Sequence, residues 1–194
     1  MEPHLRKLYP KVKRFEWSAN LVRGGGDQPT AQAPHLDFHQ DAAARIEFHK
    51  DRPLLPKWIN RITEPDMLMG SLDNEDSKFG VLLGVWKPIF PHEICDEPLA
   101  VMDARTFNKD FLNRNEVAID FGFFTHNNLN GAIAHSPLQK WYYYSYQNVR
   151  EVLVFHQYSK DKFFCNPHTA FFNKNCPKDT KSRMSVEFRV GLFF

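Results

Sequence analysis

Arg183-Met184-Ser185-Val186-Glu187-Phe188-Arg189-Val190 is the stretch on which the fold turns. Side chains alternate across a β-strand with a period of two. Arg183, Ser185, Glu187 and Arg189 therefore share one face, and Met184, Val186, Phe188 and Val190 share the other. Two arginines, a serine and a glutamate on one face are costly to bury unless that face is wet or lines a polar pocket. The segment is then either a solvent-facing edge strand or one wall of a barrel whose interior holds a charged ligand. Arginine suits the second role, because its planar fork grips a carboxylate through two parallel charged hydrogen bonds. Ser185, two residues on, can add a hydrogen bond from the same side.

Upstream, the chain is strand-like from about residue 80. Val81 to Trp86 is a short apolar run closed by Lys87-Pro88, and Leu99 to Met102 is another, followed by Asp103-Ala104-Arg105. Lys140 to Tyr146 is densely aromatic, Val152 to Tyr158 is β-branched and aromatic, and residues 183–194 form one or two last strands. Short strands separated by Pro, Asn and Gly turns predict an all-β sandwich or barrel. Helical periodicity is weak, with short candidates at 108–114 and 147–151 and a further one at 42–50, bounded by Pro53 and Pro56. Residues 1–33 mix basic residues with the run Gly24-Gly25-Gly26 and read as an irregular N-terminal lead-in to a domain over residues 34–194.

Composition narrows the class. A length of 194 residues suits one domain with a sizeable core. Eighteen phenylalanines, 13 prolines and 9 glycines lean toward strands and turns. A net charge of +2 is too balanced to argue for a nucleic-acid partner. No stretch approaches the roughly 18 apolar residues of a membrane span, and no apolar signal core follows Met1 to Lys7. Cys95, Cys165 and Cys176 lack C-x-x-C spacing, and their odd number speaks against a disulfide scaffold. The expected location is the cytoplasm, with neither membrane nor nucleic acid as partner.

Pro34-His35-Leu36-Asp37-Phe38-His39 carries the chemistry. On a strand, His35 and Asp37 point one way and Leu36 and Phe38 the other. A histidine and a carboxylate so placed can take two neighbouring positions on a metal, and a second histidine from a distant strand can complete a 2-His-1-carboxylate facial triad with open positions. H-x-D alone is a weak pattern, equally at home as a surface or capping pair. What strengthens it is Asn166-Pro167-His168-Thr169-Ala170-Phe171, with His168 fifteen residues ahead of Arg183. H-x-D, a distal histidine and then R-x-S is the general order of iron(II)/2-oxoglutarate dioxygenases. His39 and His49 flank the first motif without a ligand pattern, as do His92, His126, His135 and His156 elsewhere, of which His156 suits a core position. Cys165 lies near His168 in sequence without being needed as a ligand.

The motifs extend further: Gly84-Val85-Trp86-Lys87-Pro88-Ile89, Pro98-Leu99-Ala100-Val101-Met102-Asp103-Ala104-Arg105, Lys140-Trp141-Tyr142-Tyr143-Tyr144 and Glu151-Val152-Leu153-Val154-Phe155. With Pro34 to Asp37, Pro167 to Phe171 and Arg183 to Arg189, in that order, they make the chain resemble one iron(II)/2-oxoglutarate-dependent dioxygenase-like family. It is the family of the cephamycin 7α-methoxylation partner protein and of the fungal gibberellin-desaturase-like and aspergillic-acid-type hydroxylase/desaturases. The resemblance runs from about residue 30 to the end of the chain.

The resemblance implies a mainly β, double-stranded β-helix (jelly-roll, cupin-like) with a few short helices. It implies hydroxylation or desaturation of a small, secondary-metabolite-like substrate with dioxygen and 2-oxoglutarate. Iron(II) falls on His35, Asp37 and His168, and the far carboxylate of 2-oxoglutarate on Arg183 with Ser185. Asp103, Arg105, Trp141, Tyr142 and Arg189 are candidates for supporting the ligands or facing substrate. Asp103 and Arg105 are expected to share a strand face, either as a buried ion pair or orienting the site, and Glu187 to pair with Arg189. Trp141, Tyr142 and Tyr143 are candidate pocket walls, or else core packing. The portion ahead of the H-x-D motif, about 30 residues, is shorter than usual in the family, so the domain is expected to be N-terminally truncated relative to it. The text between Asp37 and Gly84 matches poorly, so substrate identity does not transfer. Two other readings stand: an accessory β-helix protein that binds a ligand or partner chain, and a cupin-like metal enzyme without 2-oxoglutarate.

Overall fold

In the computed structural model of the chain, the residues described are 1–17, 21–24, 30–38, 78–89, 93–120, 125–160 and 164–194. A helix, α1 (Glu2–Leu8), is followed by β1 (Arg14–Trp17), β2 (Leu21–Gly24), β3 (His35–Leu36), β4 (Phe79–Pro88), β5 (Leu99–Met102), β6 (Leu112–Asp120) and β7 (Thr125–Ile133). The remaining strands are β8 (Trp141–Tyr143), β9 (Leu153–Ser159), β10 (His168–Ala170) and β11 (Met184–Phe193). Short 3-10 turns cover Ala104–Thr106 and Lys109–Phe111.

The strands form two antiparallel sheets. One runs β1-β11-β4-β9, with β2 pairing β11 farther along the edge that β1 also uses; the other runs β6-β7-β3-β10-β5-β8. The chain passes back and forth between them. β2, β4, β9 and β11 lie in the first sheet and β3, β5, β8 and β10 in the second. That alternation is a jelly roll, as the family resemblance implied and within the all-β sandwich or barrel that the strand and turn pattern predicted.

β4 is central and apolar on both faces, as a strand covered on both sides must be. Leu83 and Val85 point outward and join Val190 and Leu192 of β11 and Leu5 and Val12 of the N-terminal segment in one cluster. Trp86 points inward and meets Phe155 of β9 together with Leu99 and Ile94. That inner cluster joins the two sheets.

Residues 1–33, expected to be irregular, instead carry α1, β1 and β2. The reason is apolar spacing: Leu5, Tyr9, Val12 and Phe15 cover the outer face of β4 and β11. The candidate helix at 108–114 is a 3-10 turn running into β6, and 147–151 is a turn whose Gln147 bridges to Ile94. Residues 183–194 contribute one strand, with an irregularity at Leu192/Phe193. The candidate helix at 42–50, with His39, His49 and His92, lies outside the described residues. The β6–β7 hairpin, which extends the second sheet past β3, has no counterpart in the strand pattern. Its text, with Asn113, Asn115, Asn127, Asn128 and Asn130, lacks apolar alternation.

Candidate metal centre

β3 and β10 are neighbours, and His35 and His168 are direct cross-strand partners. Directly opposed residues put their side chains on the same face, and the two imidazole centroids lie 4.5 Å apart. Asp37 follows just past the end of β3, while Leu36 and Phe38 are fully buried in separate core clusters. Leu36 packs with Met102, Ile133 and Cys165, which turns His35 the other way, into the space between the sheets. Past the strand end, Phe38 packs inside with Leu82 and under Arg189, whose bond to Asp37 fixes the carboxylate there.

The geometry converges on one oxygen. Asp37 Oδ1 is 3.5 Å from His35 Nε2 and 3.8 Å from His168 Nε2. One ligand atom from each of the three residues lies within 4.8 Å of the others. His35 Nδ1 is 2.7 Å from the Ala33 carbonyl and His168 Nδ1 is 3.4 Å from that of Asn166. A carbonyl only accepts, so each Nδ1 carries a proton; the Nε2 of neutral His168 then presents a lone pair, and a metal would replace any proton that His35 Nε2 shares with Asp37. The donor set and its open side suit iron(II).

Charge is arranged around the same point. Burial pushes the His168 imidazole down to about 3, and the neighbouring His35 adds to the effect, so His168 is neutral. Burial also opposes charge on His35, but the hydrogen bond and negative charge of Asp37 outweigh it and raise its pKa. Burial would raise the Asp37 carboxyl; Arg189 and the two histidines hold it well below the usual carboxylate range. Arg189 Nη2 binds Asp37 Oδ2 at 2.7 Å. Glu187, pushed up to about 7 by burial and by Asp37, accepts a 2.6 Å hydrogen bond from Gln157 Nε2.

The cluster opens onto a small cleft whose walls include Arg183, Glu187, Arg189 and Trp86. Arg183 is 3% exposed. Its Nη1 donates to the Glu97 carbonyl at 2.6 Å, and its guanidinium sits 5.5 Å from the centre of the Trp86 ring. Its Nε has no partner among the described residues. Burial lowers its pKa to about 10. A desolvated guanidinium with a spare N–H on a cleft wall is what a carboxylate ligand would satisfy. Ser185 is buried on the same strand but is not part of the cleft wall.

The other candidates fall elsewhere. β5 ends at Met102, so Asp103 and Arg105 share no strand face. Asp103 caps a 3-10 turn and binds Arg105 at 2.6 Å, with Arg105 84% exposed, so the pair is at the surface rather than buried. Trp141 packs partly buried against the cluster of Leu36, Met102, Ile133 and Cys165. Tyr142 and Tyr143 are exposed on the edge strand β8. None of the three lines the cleft, which corrects their reading as pocket walls. Glu187 stands 3.9 Å from Arg189 Nε, so the expected pairing is secondary to the bond between Arg189 and Asp37. His156 faces outward, 2.9 Å from Tyr9 Oη. Cys165 is fully buried, its thiol pushed up to about 12, and stays a core residue. The sequence reading missed Arg23 and Thr169 on the cleft wall. The signal for Thr169 was its place beside His168; Arg23 had none, because its segment lacks strand patterning.

Two sheets with a His-Asp-His set carried by β3, the residue after it and β10 define a jelly-roll protein with a candidate three-residue metal site. Residues 22–193 match the family described as the oxidoreductase/YMDC permease-like domain, and the chain belongs to that family. It is 32% identical over 126 residues to hydroxylase/desaturase asaB of Aspergillus flavus, covering 58% of this chain and 55% of that protein. It is 30% identical over 119 residues to the Fe(II)/2-oxoglutarate-dependent dioxygenase nvfI of Aspergillus novofumigatus, covering 56% of this chain and 39% of that protein. The chain thus spans about half the length of the curated relatives it matches. Two solved structures of the iron and alpha-ketoglutarate-dependent endoperoxidase NvfI superpose on 99% of the chain. Their TM-scores are 0.71 and 0.68, at 23% and 22% identity, with 64% and 67% of those chains covered. The kinship with fungal iron(II)/2-oxoglutarate oxygenases drawn from the motifs is borne out. Among the described residues, no helix is long and apolar enough to cross a membrane.

Proposed function

We propose that the chain is an iron(II)/2-oxoglutarate-dependent oxygenase domain that hydroxylates or desaturates a small molecule with dioxygen. One observation carries the reading: two histidine Nε2 atoms from adjacent strands converge on a single oxygen of a buried aspartate. His35, Asp37 and His168 hold the metal. Arg183 receives the far carboxylate of 2-oxoglutarate, for which its unpartnered Nε and its stacking on Trp86 leave it ready. Ser185 acts beneath it, by supporting the strand. Dioxygen is the oxidant; bound iron(II) would activate it, with 2-oxoglutarate supplying two electrons by oxidative decarboxylation, and the protein's part is to hold them between the sheets and to exclude bulk water. We take residues 34–194 as the domain, to which β1 and β2 add strands along β11 while Leu5 and Val12 cover its outer face. Three free cysteines, two of them buried, fit a reducing cytoplasm.

Anaerobic titration with iron(II) and 2-oxoglutarate tests the reading. The visible charge-transfer band of that chelate is expected in the wild-type protein and absent in Asp37→Ala. Arg183→Met is expected to keep metal binding and to weaken 2-oxoglutarate roughly 10- to 100-fold, the cost of losing a charged hydrogen-bond pair. Folded, metal-loaded wild-type protein without the band would overturn the proposal.

A second reading, an accessory domain that docks on another chain, is favoured by the edge strand β8. Its Tyr142 and Tyr143 are 57% and 43% exposed on a strand that is at the sheet edge among the described residues. A stable complex without turnover would support it.

A further inference from the structure

Arg189 holds one oxygen of Asp37 and leaves the other to the histidines. Its Nη2 meets Oδ2 at 2.7 Å, whereas Oδ1 faces His35 Nε2 and His168 Nε2 at 3.5 and 3.8 Å. The arginine is well fixed. Its backbone lies within the β11–β4 ladder, opposite Gly84. Its guanidinium lies 5.3 Å from the centre of the Phe38 ring, so it grips both Asp37 and the residue after it. From behind, Glu187 Oε1 stands 3.9 Å from its Nε, and Gln157 in turn holds Glu187. Arginine does not lose its proton in proteins, so this hold does not depend on pH.

A carboxylate can bind a metal through one oxygen or through both. The difference matters at a facial triad. Three protein donors on an octahedral ion leave three positions, and a fourth protein donor leaves two. The proposed function needs two positions for a chelating co-substrate and one for dioxygen. We propose that Arg189 is a positioning residue that makes Asp37 bind the metal through Oδ1 alone, keeping the third position open. The inference rests on the metal reading of the cluster. The rival role for Arg189 is that of a counter-ion, which occupies Asp37 until a metal displaces it.

Manganese(II) alone separates the two, because water-proton relaxation counts the waters on each bound ion. Free ion is measured by electron paramagnetic resonance, and the experiment compares wild type with Arg189→Met and Arg189→Lys. Positioning predicts that Arg189→Met binds manganese with the relaxation enhancement per bound ion lowered by about one third, one water in three having given way to Oδ2. Arg189→Lys restores the charge without the planar fork and falls between the two. An unchanged enhancement in Arg189→Met, with or without tighter binding, overturns the inference in favour of the counter-ion. If circular dichroism shows that Arg189→Met does not fold, Arg189→Lys decides, and a wild-type enhancement there overturns it. Wild-type protein that takes up no manganese fails differently: the metal reading itself then falls, and this inference with it.

Discussion

Replacing Gly84 with alanine adds one methyl group at the centre of the barrel, and its effect should reach the metal cluster. Gly84 lies in β4, opposite Arg189 on one side and Phe155 on the other. With no side chain there, the Phe155 ring leans across the strand. A Cβ at this position would stand 2.5, 2.8 and 2.9 Å from Cζ, Cε1 and Cε2 of that ring. Carbon atoms rest about 3.5–4.0 Å apart, so the ring has to move by about 1 Å. It has little room, being 3% exposed and packed on Trp86, Ile94 and Leu99. His168 is also close, with its ring centroid 4.9 Å from that of Phe155. Overpacking of this kind costs about 1–3 kcal/mol. Loss of glycine's freedom in the unfolded chain returns about 0.4–1 kcal/mol, so the clash prevails. The net loss, up to about 2.6 kcal/mol, corresponds to a fall of up to about 10 °C in the melting temperature of a chain of this size. Displacing a ligand by this amount is expected to weaken manganese(II) binding about tenfold or more, as changes beside a metal ligand do. Thermal unfolding and metal titration read both effects. Phe155→Leu in the same chain should relieve the clash, so the two substitutions together should cost less than their sum. A Gly84→Ala protein with wild-type melting and metal affinity would refute the reasoning, and so would strictly additive costs in the double variant.

Two more outcomes follow from burial and charge. In metal-free protein, the unfolded chain protonates His168 below its usual 6.5 whereas the folded chain waits until about 3, so this group removes stability as pH falls across that range. Glu187 acts in the opposite sense: with a folded value of about 7 against 4.5, its contribution is present at low pH and lost as pH rises between the two. The slopes oppose each other between pH 4.5 and 6.5. Urea midpoints of wild type are therefore expected to be nearly flat there, and Glu187→Gln to uncover a fall toward acid of at most about 1.4 kcal/mol per pH unit; a Glu187→Gln protein as flat as wild type would contradict this. On the outer face, Tyr9→Phe removes the bond to His156. It should cost about 0.5–1.5 kcal/mol in denaturant unfolding with manganese affinity unchanged, and a loss of metal binding would show that the two faces of the sheet are not independent.

The cluster of candidate ligands was partly legible because some of the physics that places them is local. In Pro34 to Phe38, apolar and chemical residues alternate, and burial of Leu36 on the far face aims His35 inward, while Asp37 is held by Arg189. The inward face of β11 was legible for the same reason. What could not be read was register and the choice of partners. That His168 stands directly opposite His35 depends on how β10 slides against β3, which no local pattern encodes. The same limit explains the misplacement of Trp141 and Tyr142. An aromatic run is as consistent with a pocket wall as with an edge strand, and β8 takes the edge. α1, β1 and β2 escaped notice because each is short and gains its stability from packing on β4 and β11 rather than from its own periodicity.

Arg183 and Arg189 look equivalent in the sequence, on one face of one strand. Six residues of strand separate them by about 20 Å, too far for both guanidinium groups to serve one carboxylate. The surroundings then divide the roles. Arg189 sits where β11 meets Gly84, beside Phe38, and its fork is taken by Asp37. Arg183 stands just before β11, against Trp86 and the Glu97 carbonyl, with an N–H left over. One arginine is thus bound within the protein's own cluster, and the other retains a donor for a ligand. A dicarboxylate that reached the metal with one end would find its second charge matched by Arg183 and not by Arg189. Exchanging arginine for lysine at the two positions should therefore have separable effects, on co-substrate affinity at Arg183 and on metal coordination at Arg189.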